Sequence, residues 1–202
     1  MKRNSVFFGL FLFGLTGLAQ ANLITNGDFQ TGDLTGWDHA TPGNVWVTTG
    51  SGGNSIARFD VDGGNGDARL YQNFDVDPLW DGISIGFKFR LNTGTSSTAD
   101  FFKSFVRLEI DGGPDSVNTL IKVTDSTDGW QQVWATVLFD GLTIDPVTPN
   151  ARLTFLLKEH TGDWAWARLD NVEAYNVPEP ATLALLGLGL TGIGFARKKK
   201  LS

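Results

Sequence analysis

Residues 22–177 predict an all-β fold, an antiparallel β-sandwich of the jelly-roll kind. Three observations carry that expectation. Ile83, Ile85, Phe87, Phe89 and Leu91 alternate strictly with Ser84, Gly86, Lys88 and Arg90, the period of a strand with one side on a core. The apolar runs are short, and each closes on a breaker such as Asp111-Gly112-Gly113-Pro114, Asp140-Gly141 or Thr161-Gly162-Asp163. No segment of the domain sustains a helical period, which leaves two packed sheets as the way to bury these strands.

Taken in order, the chain begins with Lys2 and Arg3, an apolar run from Val6 to Leu18, and Ala19-Gln20-Ala21. A basic start, a short apolar core and a small-x-small site are the parts of a signal peptide over 1–21, with signal peptidase leaving Asn22 as the mature N-terminus. The 156 residues from 22 to 177 suit one domain. Six of the sixteen Lys and Arg and one of the twenty-two acids lie in the two ends, so this domain holds ten basic and twenty-one acidic residues, a net charge near −11. That balance argues against nucleic acid or anionic lipid and is compatible with divalent cations or neutral glycans. Without cysteine there is no disulfide framework, thiolate nucleophile or thiolate-held zinc.

Further strands are expected over Val106, Leu108 and Ile110, which alternate with Arg107 and Glu109, then at Val133 to Phe139, Leu153 to Leu157 and Arg168 to Tyr175. The last leads almost directly into Pro178-Glu179-Pro180, sixteen uncharged residues from Ala181 to Ala196, and Arg197-Lys198-Lys199-Lys200. A helix over 181–196 would be roughly 24 Å long, a little under the roughly 30 Å bilayer core. It spans if the basic end snorkels, and the cations hold that end in the cytoplasm. Pro178 blocks helix from the N-terminal side, while Pro180 is suited to a first helical turn.

Val177-Pro178-Glu179-Pro180, the apolar run from Ala181 and the basic terminus resemble the PEP-CTERM sorting signal of Gram-negative bacteria. The resemblance makes 178–202 a transmembrane sorting segment. It implies an exosortase as processing partner, an inner-membrane intermediate, and delivery to the cell surface or an exopolysaccharide matrix.

The domain itself resembles galactose-binding-like, carbohydrate-binding jelly rolls. The pieces stand in order: Asn22-Leu23-Ile24-Thr25-Asn26-Gly27-Asp28-Phe29-Gln30 with Gly36-Trp37, then Leu70-Tyr71-Gln72-Asn73-Phe74, Gly129-Trp130-Gln131-Gln132 and Leu169-Asp170-Asn171-Val172. The resemblance implies a structural calcium held by Gln30, Asn54 and Asp170, with Gln30 in place of the family's usual Glu and so one charge fewer. Asp60 to Asp67 lacks the spacing of a helix-flanked calcium loop, with Asn65 where glycine is needed and Tyr71 where Glu is needed. A solvated hairpin loop is the expectation there.

Flat rings stack on sugar faces while nearby polar groups bond the hydroxyls. Of seven tryptophans, Trp37 and Trp130 stand at motif positions expected to pack in the core. With Ala165, Ala167 and Leu169 inward, Trp164, Trp166 and Arg168 share the outward side of one strand and form the carbohydrate-binding candidate. His39 and His160 have no companion motif, and no catalytic residue is named. Three readings stay open: an exported protein whose sandwich binds polysaccharide, a structural coat that binds nothing tightly, and a small glycan-active hydrolase. The first loses matrix retention when Trp164 and Trp166 are changed, the second does not, and the third releases reducing sugar.

Overall fold

In a computed structural model, residues 20–40, 44–50, 52–62, 66–94, 100–147, 149–160 and 164–177 are described. The leader up to residue 19, the motif Pro178, Glu179 and Pro180, and the apolar tail lie outside them. No helix long and apolar enough to cross a membrane occurs among the described residues.

Ten strands form: β1 (Asp38–Ala40), β2 (Asn44–Thr49), β3 (Ser55–Asp62), β4 (Gly66–Phe74), β5 (Gly82–Thr93), β6 (Phe101–Leu108), β7 (Ser116–Val123), β8 (Gln131–Leu138), β9 (Ala151–Glu159) and β10 (Trp164–Val177). They make two antiparallel sheets of five. Sheet A has the order β1-β4-β9-β6-β7, and sheet B has β2-β3-β10-β5-β8. The sandwich expected from the alternation is the fold found. The alternating run at 83–91 is β5, central in sheet B, with Ile83, Ile85, Phe87, Phe89 and Leu91 all buried.

Three expectations are corrected. Strand β6 ends at Leu108, and Ile110 instead makes an isolated bridge to Ile144, because the turn residues that follow pull the chain away from β9. The acidic stretch from Asp60 to Asp67 joins β3 of one sheet to β4 of the other, so it is an inter-sheet crossing and not a hairpin. Trp130 is 42% exposed and lies outside the core. Trp37, by contrast, is buried between Phe29 and Phe155, at ring distances of 5.7 and 6.1 Å.

The core is largely aromatic where the sheets meet. Phe87 meets Phe155 edge-on at 5.0 Å, and Phe102 stacks on Phe89 at 5.2 Å, so rings from both sheets interlock. The opening motif closes one end of this core. The Asn22 side chain accepts from the Ala174 amide, and Asn26 donates to the Asp33 and Thr35 carbonyls. Buried Gln72 accepts from the Thr25 amide and donates to the Thr25 and Gly36 carbonyls. Phe29 reaches the core from a left-handed backbone at φ 55°, a conformation that this set of bonds holds in place.

Gly27 is required by contact: its carbonyl accepts from the Val172 amide, and a Cβ there would lie 1.9 Å from the Val172 oxygen. Gly27→Ala is therefore expected to lower stability by about 1–3 kcal/mol through forced separation of the opening loop from β10. Urea unfolding checks this against Gly52→Ala, which meets no neighbour and carries only the backbone cost of a positive φ.

Candidate functional site

Because the central strands bury one side, function falls to the outward sides and the loops. All ten basic residues of 22–177 stand on strands, whereas only seven of the twenty-one acids do. Sheet A carries Arg69, Lys103, Arg107, Lys122, Arg152 and Lys158; sheet B carries Arg58, Lys88, Arg90 and Arg168. The strands of sheet A thus carry six bases against three acids, whereas those of sheet B carry four of each, with Arg58, Arg168 and Arg90 side by side.

On sheet A, Tyr71, Thr154 and Phe105 are direct cross-strand neighbours on β4, β9 and β6. Two interstrand spacings, roughly 10 Å, separate the strands bearing the two rings. Thr154, 3% exposed, forms the foot of a groove of about 330 Å³, with Arg69, Arg107, Arg152 and Ala40 around it. The Arg152 guanidinium lies 4.8 Å from the Tyr71 ring centre, and its Nε donates to Asn73 Oδ1 at 2.7 Å. Arg69 pairs with Asp67 at 3.2 Å, and Arg107 pairs with Asp115. This combination of apolar walls and directed donors suits a sugar ring. A larger cavity of about 550 Å³ near Val177 is lined by Pro78, Leu138 and Leu142, with Asp81 and Asp140, and Trp80 is its one indole.

On sheet B, the expected parity of β10 places Trp164, Trp166 and Arg168 outward, between buried Ala165, Ala167 and Leu169. Trp164 is 46% exposed, and Trp166 and Arg168 are half-buried. The Trp166 ring is hemmed in by guanidiniums: Arg168 at 5.0 Å, Arg90 at 5.7 Å and Arg58 at 5.8 Å. Trp130, moved out of the core, lines a pocket of about 280 Å³ with Lys88, Arg168, Asn54 and Asp170. Burial, then the neighbouring charges of Arg58 and Arg90, hold the Arg168 pKa below its ordinary value.

Gln30, Asn54 and Asp170 come together in a hydrogen-bonded chain. Gln30 Nε2 donates to Asn54 Oδ1 at 2.9 Å, and Asn54 Nδ2 donates to Asp170 Oδ2 at 2.9 Å. The same Gln30 nitrogen also reaches the Asp28 and Ser55 carbonyls, at 3.0 and 3.4 Å. An N–H donor thus stands among the oxygens that a calcium would gather. No group of three or more His, Cys, Asp or Glu suited to a metal occurs among the described residues. Calcium needs six to eight oxygens, so holding one here would require the Gln30 and Asn54 amides to turn their oxygens inward and backbone carbonyls such as those of Asp28 and Ser55 to join Asp170.

The groove residues Tyr71, Phe105, Arg152 and Thr154 were not legible as a set. Their alternation was readable strand by strand, but β4, β9 and β6 are distant in sequence, and only their pairing makes one row.

Comparison with known proteins agrees with both halves of the chain. The PEP-CTERM protein-sorting motif matches residues 176–199, so the chain carries that signal, which implies export and sorting to the surface of a Gram-negative cell. No curated protein matches the sequence. Solved structures with the same β-sandwich include a family 61 carbohydrate-binding module in complex with beta-1,4-galactotriose, at 16% identity and a TM-score of 0.52, covering 77% of this chain and 99% of that one. A family 16 carbohydrate-binding module is 16% identical, with a TM-score of 0.56, over 77% of this chain and all of its own. The xylan-binding family 22 domain of Paenibacillus barcinonensis Xyn10C is 15% identical, with a TM-score of 0.56, over 80% and 98%. The sandwich is therefore of the carbohydrate-binding-module type in fold.

Two outcomes follow from the Gln30 chain. Millimolar calcium is expected to leave the thermal midpoint unchanged, whereas Gln30→Glu, which removes the donor and adds a charge, is expected to make the midpoint rise with calcium; thermal melts with and without chelator check this. Asp170 is buried, and desolvation raises its pKa despite bonds from Asn54 and the Asn171 amide and the charge of Lys88. A carboxyl raised above its unfolded value is stabilising below that value, and the contribution is lost as pH rises through the raised one. The stability difference between wild type and Asp170→Asn should therefore decline as pH rises from about 4, measured by urea unfolding across acid to neutral pH. A bound cation at Asp170 would give the opposite slope.

Proposed function

We propose that the protein is an exported surface or exopolysaccharide-matrix component whose sandwich binds polysaccharide through the outer face of sheet A. Under this reading, signal peptidase removes 1–21 and an exosortase processes the chain near Pro178-Glu179-Pro180. The apolar tail holds it in the inner membrane until then. The observation that carries the binding role is the groove in which Tyr71 and Phe105 stand on either side of Thr154, with arginine donors at its rim. Rings on both sides let a pyranose bury two apolar faces, and Arg152 and Arg107 supply hydrogen bonds to its edge. Neighbours with the same sandwich include carbohydrate-binding modules beside parts of an arabinofuranosidase and of a phage tailspike, and the binding modules support a binding role here.

Retention of the full-length chain, in mild detergent, on immobilised exopolysaccharide of its host tests this. Tyr71→Ala with Phe105→Ala is expected to lower retention roughly tenfold or more while the thermal midpoint falls little, since both rings stand on the outer side. Unaltered retention by the folded variant would remove the groove from the binding role. No retention by the wild-type chain would leave a sorted structural coat.

A further inference from the structure

Arg58, Arg168 and Arg90 form a single row across three adjacent strands of sheet B. Arg168 on β10 is the direct partner of Arg58 on β3 and of Arg90 on β5. Like charges directly opposite one another destabilise a sheet, so three in a row oppose folding unless something offsets them. The protein offsets them in part. Asp60 pairs with Arg58 at 2.7 Å, Trp46 lies 5.4 Å from the Arg58 guanidinium, and Trp166 faces all three cations. Arg90 and Arg168 have no carboxylate partner among the described residues, and the Nε atoms of all three arginines are buried without a hydrogen bond. Lys88 follows on β5 opposite Asp170, whose charge it faces beside the bonds from Asn54 and the Asn171 amide.

We propose that this row is a second binding site, separate from the sheet A groove, that takes the carboxylate groups of an acidic polysaccharide on Arg90 and Arg168, with Trp166 beneath the sugar. Planar guanidiniums offer paired N–H donors that match carboxylate oxygens, and a ring held between them gives the sugar an apolar surface. An anion placed there removes the repulsion that the fold otherwise carries. The charge distribution selects the shape of the ligand. Fourteen of the twenty-one acids stand off the strands. With a net charge near −11 the domain is repelled as a whole by an anionic bilayer, whereas one acidic chain can reach the arginine row alone. The ligand class rests on the polysaccharide reading above, but the site does not.

The probe is polygalacturonate, beside the same polymer fully methyl-esterified, with the full-length chain in mild detergent. Wild type is expected to bind the acid form, to release it as salt rises, and to bind the ester roughly tenfold or more weakly. Arg90→Gln with Arg168→Gln should reduce binding to the acid form roughly tenfold or more, with a thermal midpoint equal to or above wild type because the repulsion is relieved. Lys122→Gln with Lys158→Gln removes the same charge from sheet A, outside the groove lining, and should leave binding unaltered. The basic tail is common to all these chains, so it cannot produce the difference between the Arg and Lys variants, which is the deciding comparison. Equal binding of acid and ester forms, an Arg variant that binds like wild type, or an equal loss in the Lys variant would overturn the proposal. Preferential binding to phosphatidylglycerol vesicles, lost in the Arg variant, would overturn the polysaccharide assignment. Failure of the Tyr71 and Phe105 test leaves these readouts intact, so the two sites stand or fall separately.

Discussion

The interlocked rings between the sheets are the constraint on which the rest depends. Phe59, Phe87, Phe89, Phe102 and Phe155 are buried completely or nearly so, and each fixes which side of its strand faces inward. A slip of one residue would exchange the two sides of a strand. Placing Phe155 inward is what puts Thr154 outward between Tyr71 and Phe105. Placing Ala167 and Leu169 inward puts Trp166 and Arg168 on the opposite surface of the molecule. The two proposed binding faces are thus a consequence of core register.

The opening motif plays a related part at one end of that core. Asn22 and Gly27 dock the first segment against β10, Asn26 closes the opening loop on itself, Phe29 packs on Trp37, and Gln72 holds the segment from β4. The Gln30, Asn54 and Asp170 chain extends this docking to the loop after β2. Amide donors there link the opening loop, the loop after β2 and β10. The residues of this motif thus serve to close one end of the sandwich.

Much of the fold was legible in the sequence because burial on one side leaves a period of two. The run at 83–91 was readable as β5, and Trp164, Trp166 and Arg168 were placed on one side of β10 by the inward alanines alone. The sorting motif was readable because it is linear. What resisted reading was pairing between distant strands. Nothing in the sequence says that Arg58 and Arg90 flank Arg168, or that Tyr71 and Phe105 flank Thr154. Trp130 was misplaced for a similar reason: its motif position suggested the core, but Gly129 at φ 77° and the start of β8 turn the ring outward toward Lys88 and Arg168. Strands β3, β4 and β7 were not read from the sequence either, and the short edge strands β1 and β2 gave too few alternations to be recognised.

The central claim is that an exported sandwich uses its sheet faces, and not its loops, to hold polysaccharide. The most direct measurement is a map of amide chemical-shift changes in the isotopically labelled chain as oligosaccharides cut from its host's exopolysaccharide are added. The account predicts saturable changes centred on β4, β9 and β6 around Tyr71, Thr154 and Phe105. Changes confined to the loops, or none at concentrations where the chain is retained on the intact polymer, would contradict it.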